Sequence, residues 1–481
     1  MTRAVVVGSG PNGLAGAIRL AQAGLEVTVL EAADTYGGGT RTTERIVPGL
    51  LHDDCSAFHP TGVASPYFAS LELEKYGLVW RWPEIDFAHP LDDGRAGVVA
   101  RDFVGTEETL GADARSWRRV FEPLVRTFDK IVVDAFGPAM HLPKHPIAFG
   151  RFGPQALLPA TWTMKHWKDD PARALYLGVA AHAFGRLDTP LSGSVGMLLG
   201  TAGHAVGWPV AEGGSISIAH ALVRLLESLG GTVRTGVRVT SRAQLNEVLG
   251  FEPDVVLLDL APAGVLDVYG DDLPGRVQRA FHRYEYGPAV HKVDYAIEGD
   301  VPWTNEDCRR AGTLHLGGTA EEVVAVEAAT ARGEMPQRPF ALVGQQYLAD
   351  PTRSVVSGAG SINPFWAYAH VPAGYAGSSE AATEALTAQI ERFAPGFRDR
   401  IVGTYVRSAA DMAAYNANYV GGDIGAGANT ARQIVFRPRM APNPYTLGIP
   451  GVYLCSSAAA PGGGVHGMAG FHAAETALKK L

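Results

Sequence analysis

Ala4-Val5-Val6-Val7-Gly8-Ser9-Gly10-Pro11-Asn12-Gly13 stands almost at the start of the chain. Four apolar residues in a row read as a buried strand, and the glycines that follow at once read as a tight turn into a helix. Leu14, Ile18, Leu20 and Ala21 form an apolar stripe at helical spacing, Gly24 ends the helix, and Val27-Thr28-Val29-Leu30-Glu31 reads as a second strand. The stretch is therefore a βαβ unit. Its glycines have separate tasks: Gly8 for the turn out of the strand, Gly10 for backbone approach to a diphosphate, Gly13 for close packing of helix on strand. The helix N-terminus supplies unpaired N–H groups and the positive end of a dipole. Glu31, 18 residues beyond Gly13, stands with Ala32 where a carboxylate accepts from a ribose 2′-hydroxyl and repels a 2′-phosphate.

A second glycine cluster, Gly37-Gly38-Gly39-Thr40-Arg41-Thr42, follows closely. It puts backbone N–H groups and a guanidinium beside the diphosphate and the ribityl end of a flavin, which points to FAD as cofactor in preference to NAD. No second fingerprint follows a strand, since Gly358-Ala359-Gly360 lacks the helix that should come next, so a nicotinamide-nucleotide domain is not expected.

The rest of the chain sets bounds. With 481 residues, 46% hydrophobic and 19% charged, and a net charge of -8, it reads as a mildly acidic globular protein of two domains. Nucleic acid is not an expected partner, because basic residues are scattered among acids. Apolar runs such as Val255 to Leu258 are strand-length, and the run after Met1-Thr2-Arg3 is too short for a signal segment, so a cytoplasmic location is expected. Cys55, Cys308 and Cys455 are odd in number and far apart, against a disulfide framework. His141 and His145 are interrupted by Pro143, so no metal site is expected, and no Gly-x-Ser-x-Gly nucleophile elbow occurs.

Further along, helical patches are expected around Phe121 to Val133, Pro171 to Ala183 and Ile216 to Leu229, and strands over Thr232 to Val239, Asp254 to Asp259, Phe340 to Tyr347 and Phe365 to Val371. A strand Gly451 to Cys455 and a helix Phe471 to Leu481 close the chain. Trp162, Lys165, His166, Trp167 and Lys168 read either as an ordinary helix with a packed face or as a peripheral membrane contact that admits a lipophilic substrate.

The run from Val5 to Thr42 resembles the large FAD superfamily of amine oxidases and phytoene desaturases. Val452 to Ser457, followed by Pro461-Gly462-Gly463-Gly464-Val465-His466-Gly467-Met468 and Ala473-Ala474, is similar to the closing flavin motif of the phytoene-desaturase-like branch. Gly213-Gly214, Asp350-Pro351-Thr352-Arg353, Gly421-Gly422-Asp423-Ile424 and Arg437-Pro438 agree with that branch, while Ser456-Ser457-Ala458-Ala459-Ala460 departs from its glycine-rich pattern. The resemblance implies an α/β fold: a doubly wound Rossmann-like FAD-binding domain over 1–75, 207–270 and 425–481, with an inserted α+β substrate domain over 76–206 and 271–424. It also implies that Val239 presents backbone to the adenine, and that Ser457, Gly464, Val465, His466, Gly467 and Met468 lie at the flavin.

The activity so implied is hydride transfer between a hydrophobic carbon substrate and flavin, as in a dehydrogenase, desaturase or saturase, with oxygen or a quinone as electron acceptor. His466 and Asp423 are the candidate catalytic groups, with His52 and His59 behind them. A flavin-dependent non-redox isomerase, an amine oxidase and a non-catalytic flavin-binding protein stay open as alternatives.

Overall fold

Strand Arg3–Val7 is buried along Ala4–Val7: it has a parallel neighbour on each edge and helix Pro11–Gln22 packed on it. That placement explains its unbroken apolar sequence. In the computed structural model, which describes residues 2–138, 140–358 and 360–481, five parallel strands make this first sheet. Its order is Val452–Leu454, Val255–Leu258, Arg3–Val7, Glu26–Leu30, Thr232–Arg234. Met1, and Ala359 within Gly358-Ala359-Gly360, lie outside the described residues. The strands come from three separated parts of the chain, and helix Pro11–Gln22 packs against both Ile216–Ser228 and the final helix Met468–Leu478. The same core extends to Val277 and Phe281 of helix Gly275–His282.

A second, mixed sheet has eight strands. Its main path runs Ile401–Arg407, Ala289–Glu298, Gly360–Val371, Ala341–Gly344, Ala311–Leu316, Ile85–Pro90, Ala96–Val99. Alternation along Gly360–Val371 gives the sheet two unlike buried faces. Phe365, Ala367 and Ala369 join a core with Leu386 and Ile390 of helix Ser379–Phe393, whereas Trp366 and Tyr368 face the other way, toward the first domain. Helices between 103 and 205 cover this sheet around Trp117, Phe121, Trp167 and Tyr176. The fold is therefore α/β, a Rossmann-like parallel-sheet domain joined to a second sheet domain.

Two sequence expectations change. The strand expected over Thr232 to Val239 stops at Arg234, since Gly236 turns left-handed (φ 71°); Val237, Arg238 and Val239 then leave the sheet to line a cavity. The helix expected around Phe121 to Val133 is two helices, Ala114–Val125 and Phe128–Ala135. In the stretch Trp162 to Lys168, Trp167 is buried against Trp117 at 4.9 Å between ring centres and Trp162 is exposed, which agrees with the reading of a packed face.

Candidate functional site

Close approach dictates the glycine loop. A Cβ on Gly13 would lie 2.2 Å from the Gly8 carbonyl oxygen, so only glycine lets the first helix sit on its strand. A Cβ on Gly38, at φ 55°, would lie 2.9 Å from Gly10 Cα, so the two glycine clusters form one wall. Hydrogen bonds from Gly37 N to Ser9 O (3.1 Å) and to Ser9 Oγ (3.3 Å) tie them together.

Glu31 is buried at the end of the second strand. One carboxylate oxygen accepts from Ser9 N at 3.0 Å and Ser9 Oγ at 2.5 Å, the other from Ala33 N at 2.9 Å and from Arg41 at 3.4 Å. These four donors fill the roughly four acceptor positions of a carboxylate, so a ribose hydroxyl would be received by replacing the long 3.4 Å contact from Arg41. Asn12 Nδ2 donates to Ser457 Oγ at 3.1 Å, while the buried Asn12 Oδ1 has no partner among the described residues. An orphaned buried acceptor beside a helix N-terminus fits a ligand with donors, as a dinucleotide has.

Sequence reasoning missed Asp259, one residue past strand Val255–Leu258. It accepts from Gly13 N at 3.0 Å, and a Cβ on Gly10 would touch its Oδ2 at 2.7 Å. Burial pushes its carboxyl up to about 7; the Gly13 N–H opposes the shift and the charge of Glu31 adds to it. The strap after helix Ala409–Tyr415 was missed as well. Tyr415 Oη donates to Gly38 O at 2.9 Å, Asn418 Nδ2 donates to Asp259 O at 2.9 Å, and Asn418 Oδ1 accepts from Ala261 N at 2.7 Å. The strap thus crosses from the second glycine cluster to the end of strand Val255–Leu258, above the loop. Only its tyrosines and asparagines, with no periodic pattern around them, could have signalled this.

Beneath the strap lies a cavity of about 930 Å³, near the upper end of the range for ligand sites. Gly8, Gly10, Pro11, Asn12, Glu31, Ala32, Gly38, Gly39, Thr40, Arg41 and Val239 line one part, and Ser457, Gly464, Val465 and His466 join them from the last turn. Gly13, Gly467 and Met468 stand behind that wall as packing positions: a Cβ on Gly467 would meet Phe68 at 2.5 Å, and Met468 begins the final helix. The second sheet contributes Thr313, Leu342, Trp366 and Tyr368, and among the described residues no charge. Phe149, Phe152, Phe184, Leu198 and Trp208 make apolar walls.

His466 is buried beside Phe136, and its Nδ1 accepts from Met468 N at 3.1 Å, so Nε2 carries the proton. Burial lowers its pKa to about 4, which keeps the ring neutral and makes it a brace for the glycine turn. Asp423 accepts from Gly287 N (2.7 Å), Gly425 N (2.7 Å) and Gly427 N (2.8 Å), an anchor for the loop behind the cavity, and burial raises its pKa. His52 bonds to Tyr295 O at 3.1 Å and His59 to Ser215 Oγ at 2.9 Å; burial lowers both, His59 to about 4. His141 and the His145 main chain both serve Asp134, and among the described residues no group of three or more His, Cys, Asp or Glu could hold a metal.

Arg353 explains the Asp350-Pro351-Thr352-Arg353 motif. Its guanidinium pairs with Asp53 at 2.5 Å and Asp350 at 3.1 Å and donates to Ala211 O at 2.7 Å, all buried. Asp53 in turn accepts from Ser215 N, and Asp350 from Gly213 N. The network pins the Gly213-Gly214 turn to the loop that follows the second glycine cluster.

Residues 6–71 match the family model of the NAD(P)-binding Rossmann-like domain. The chain is 25% identical to pyridine nucleotide-disulfide oxidoreductase domain-containing protein 2 of Rattus norvegicus, over 99% of this chain and 93% of that protein. It is 31% identical to a hydroxyneurosporene desaturase of Cereibacter sphaeroides, over 49% of this chain and 50% of that protein. Among solved structures it is similar in fold to an oxidoreductase from Methanosarcina mazei (TM-score 0.63, 16% identity, 100% of both chains). Putrescine oxidase bound to putrescine has a similar fold too (TM-score 0.60, 18% identity, 99% of this chain and 98% of that one).

Proposed function

We propose that the protein is an FAD-dependent oxidoreductase that transfers hydride between a hydrophobic carbon substrate and flavin. One observation carries the reading: the dinucleotide loops and an aromatic, uncharged chamber on the second sheet are parts of the same cavity. The cradle accounts for the cofactor class, with Glu31 toward the ribose, Arg41 and the helix N-terminus toward the diphosphate, and the Gly462–His466 turn at the ring end. Bound FAD would supply a two-electron acceptor. The protein's own part is to hold the reacting carbon against that wall and keep water out. Phe184, Trp208, Trp366 and Tyr368 suit that task, because charged residues on the cavity wall belong to the dinucleotide end or, like Asp134 and Arg437, already have partners. His466 enters this reading as the nearest imidazole to the turn, neutral and able to exchange a proton only through a rearranged hydrogen bond.

The rat oxidoreductase-domain protein and the carotenoid desaturase support the oxidoreductase class, and the desaturase leads us to an apolar substrate. Oxygen or a quinone serves as the electron acceptor, and the protein works in the cytoplasm. Among the described residues no helix is long and apolar enough to cross a membrane. A peripheral membrane contact fits the exposure of Ile147 and Leu157 around the helix whose Phe149 and Phe152 line the cavity. Anaerobic mixing of the flavin-loaded protein with carotenoids, terpenoids, fatty-acyl compounds and amines tests the reading. Bleaching by an apolar alkene or alkane is the expected result; bleaching by amines alone makes it an amine oxidase, a product of unchanged mass an isomerase, and no turnover with any compound a silent flavin binder.

A further inference from the structure

The second sheet brings a polar corner to the apolar chamber. Thr313 and His315 share one face of strand Ala311–Leu316, and His182 reaches them from the turn after helix Asp170–Ala180. His182 Nε2 and His315 Nε2 lie 2.9 Å apart, and His182 and Thr313 line the cavity. Trp208 stands edge-on to both rings, at 5.4 Å from His182 and 6.0 Å from His315. The corner is built for this contact: a Cβ on Gly178 would collide with His315 Cβ at 2.8 Å, so glycine lets the helix seat there.

Thr313 Oγ1 is buried with no hydrogen-bond partner among the described residues. An unsatisfied buried hydroxyl costs about 1–3 kcal/mol, and a valine of the same shape would avoid it. Folding therefore does not explain the hydroxyl. His182 uses Nε2 for His315, which leaves its Nδ1 for a ligand. Burial keeps both rings neutral, and the second sheet puts no cation beside them on the cavity wall. A carboxylate or phosphate would find no counter-charge here. In a neutral pair one ring donates and the other accepts, so Nδ1 of His182 is a donor in one tautomer and an acceptor in the other. A hydroxyl group satisfies either tautomer, and it also suits the threonine.

We propose that the His182–Thr313 corner is a substrate subsite that anchors the hydroxyl group of an otherwise apolar substrate by neutral hydrogen bonds. The inference deepens the proposed function and rests on the chamber being the substrate site. Its test measures binding of 1-dodecanol and of dodecyl methyl ether, in which a methyl group replaces the hydroxyl hydrogen and so removes the donor, to FAD-loaded protein through tryptophan fluorescence and the flavin spectrum. The alcohol is expected to bind about tenfold more tightly, the worth of one hydrogen bond that leaves no partner unpaired. Thr313→Val and His182→Phe are each expected to bring the ratio down toward one with flavin content unchanged. Equal binding of both ligands, binding of neither, or a ratio that survives both substitutions overturns the subsite. The wild-type ratio needs no variant to fold, and loss of flavin from the wild type would strike at the proposed function instead.

Discussion

At the residue scale the site is governed by two carboxylates with opposite circumstances. Glu31 is satisfied by main-chain and side-chain donors, whereas Asp259 is buried with one strong donor and a like charge nearby. Its pKa in the fold, about 7, exceeds the ordinary 3.8. A raised pKa means that the neutral form is favoured on folding, so this group's contribution is complete below the unfolded value and is lost as pH rises through the folded one. The cofactor-free protein should therefore lose thermal stability from Asp259 as pH climbs from about 4 to about 7. Asp259→Asn should flatten that decline, read as Tm against pH; parallel profiles for the two proteins would contradict the assignment. Of the residue-scale site, the glycines, Glu31 and Arg41 were legible because their spacing has a geometric cause. Asp259 was not, because nothing local marks the residue after a buried strand as touching a loop some 250 positions earlier.

Elements show the same division. The first strand and helix were legible from periodicity alone, since a strand buried on both faces needs an unbroken apolar run. The strand after Gly231 was read too long because Val237 and Val239 keep an apolar rhythm, yet Gly236 breaks the ladder and lends those residues to the cavity. The strap over the dinucleotide loop was illegible, since its contacts are main-chain hydrogen bonds from side chains far away in sequence. Asn418 holds it with bonds to Ala261 N and Asp259 O. Asn418→Ala removes both and leaves two main-chain groups unpaired, at about 1–3 kcal/mol each. We expect FAD to leave that variant at least about tenfold faster, by recovery of flavin fluorescence after dilution. An unchanged release rate would mean that the strap does not retain the cofactor.

Over the whole molecule, two sheets meet across one cavity, and a buried ion network holds the meeting place. Arg353 joins Asp53, just after the second glycine cluster, to Asp350 and to the Ala211 carbonyl. Arg353→Met would strand two buried carboxylates, and removal of one partner from such a network costs about 3–5 kcal/mol. A marked fall in the unfolding midpoint is expected, with Arg353→Lys failing to restore it because an ammonium cannot reproduce the forked geometry; full rescue by lysine would reduce the network to a simple charge effect. We propose that the glycine wall, Glu31 and the closing turn form an FAD cradle. Its most direct test is the absorption spectrum of the purified protein after incubation with FAD and removal of the excess, beside that of Gly10→Val. One flavin per chain is expected in the wild type and none in the variant, whose side chain fills the approach to the diphosphate; a wild type without flavin, or a variant that keeps it in full, would mean that these residues do not hold FAD.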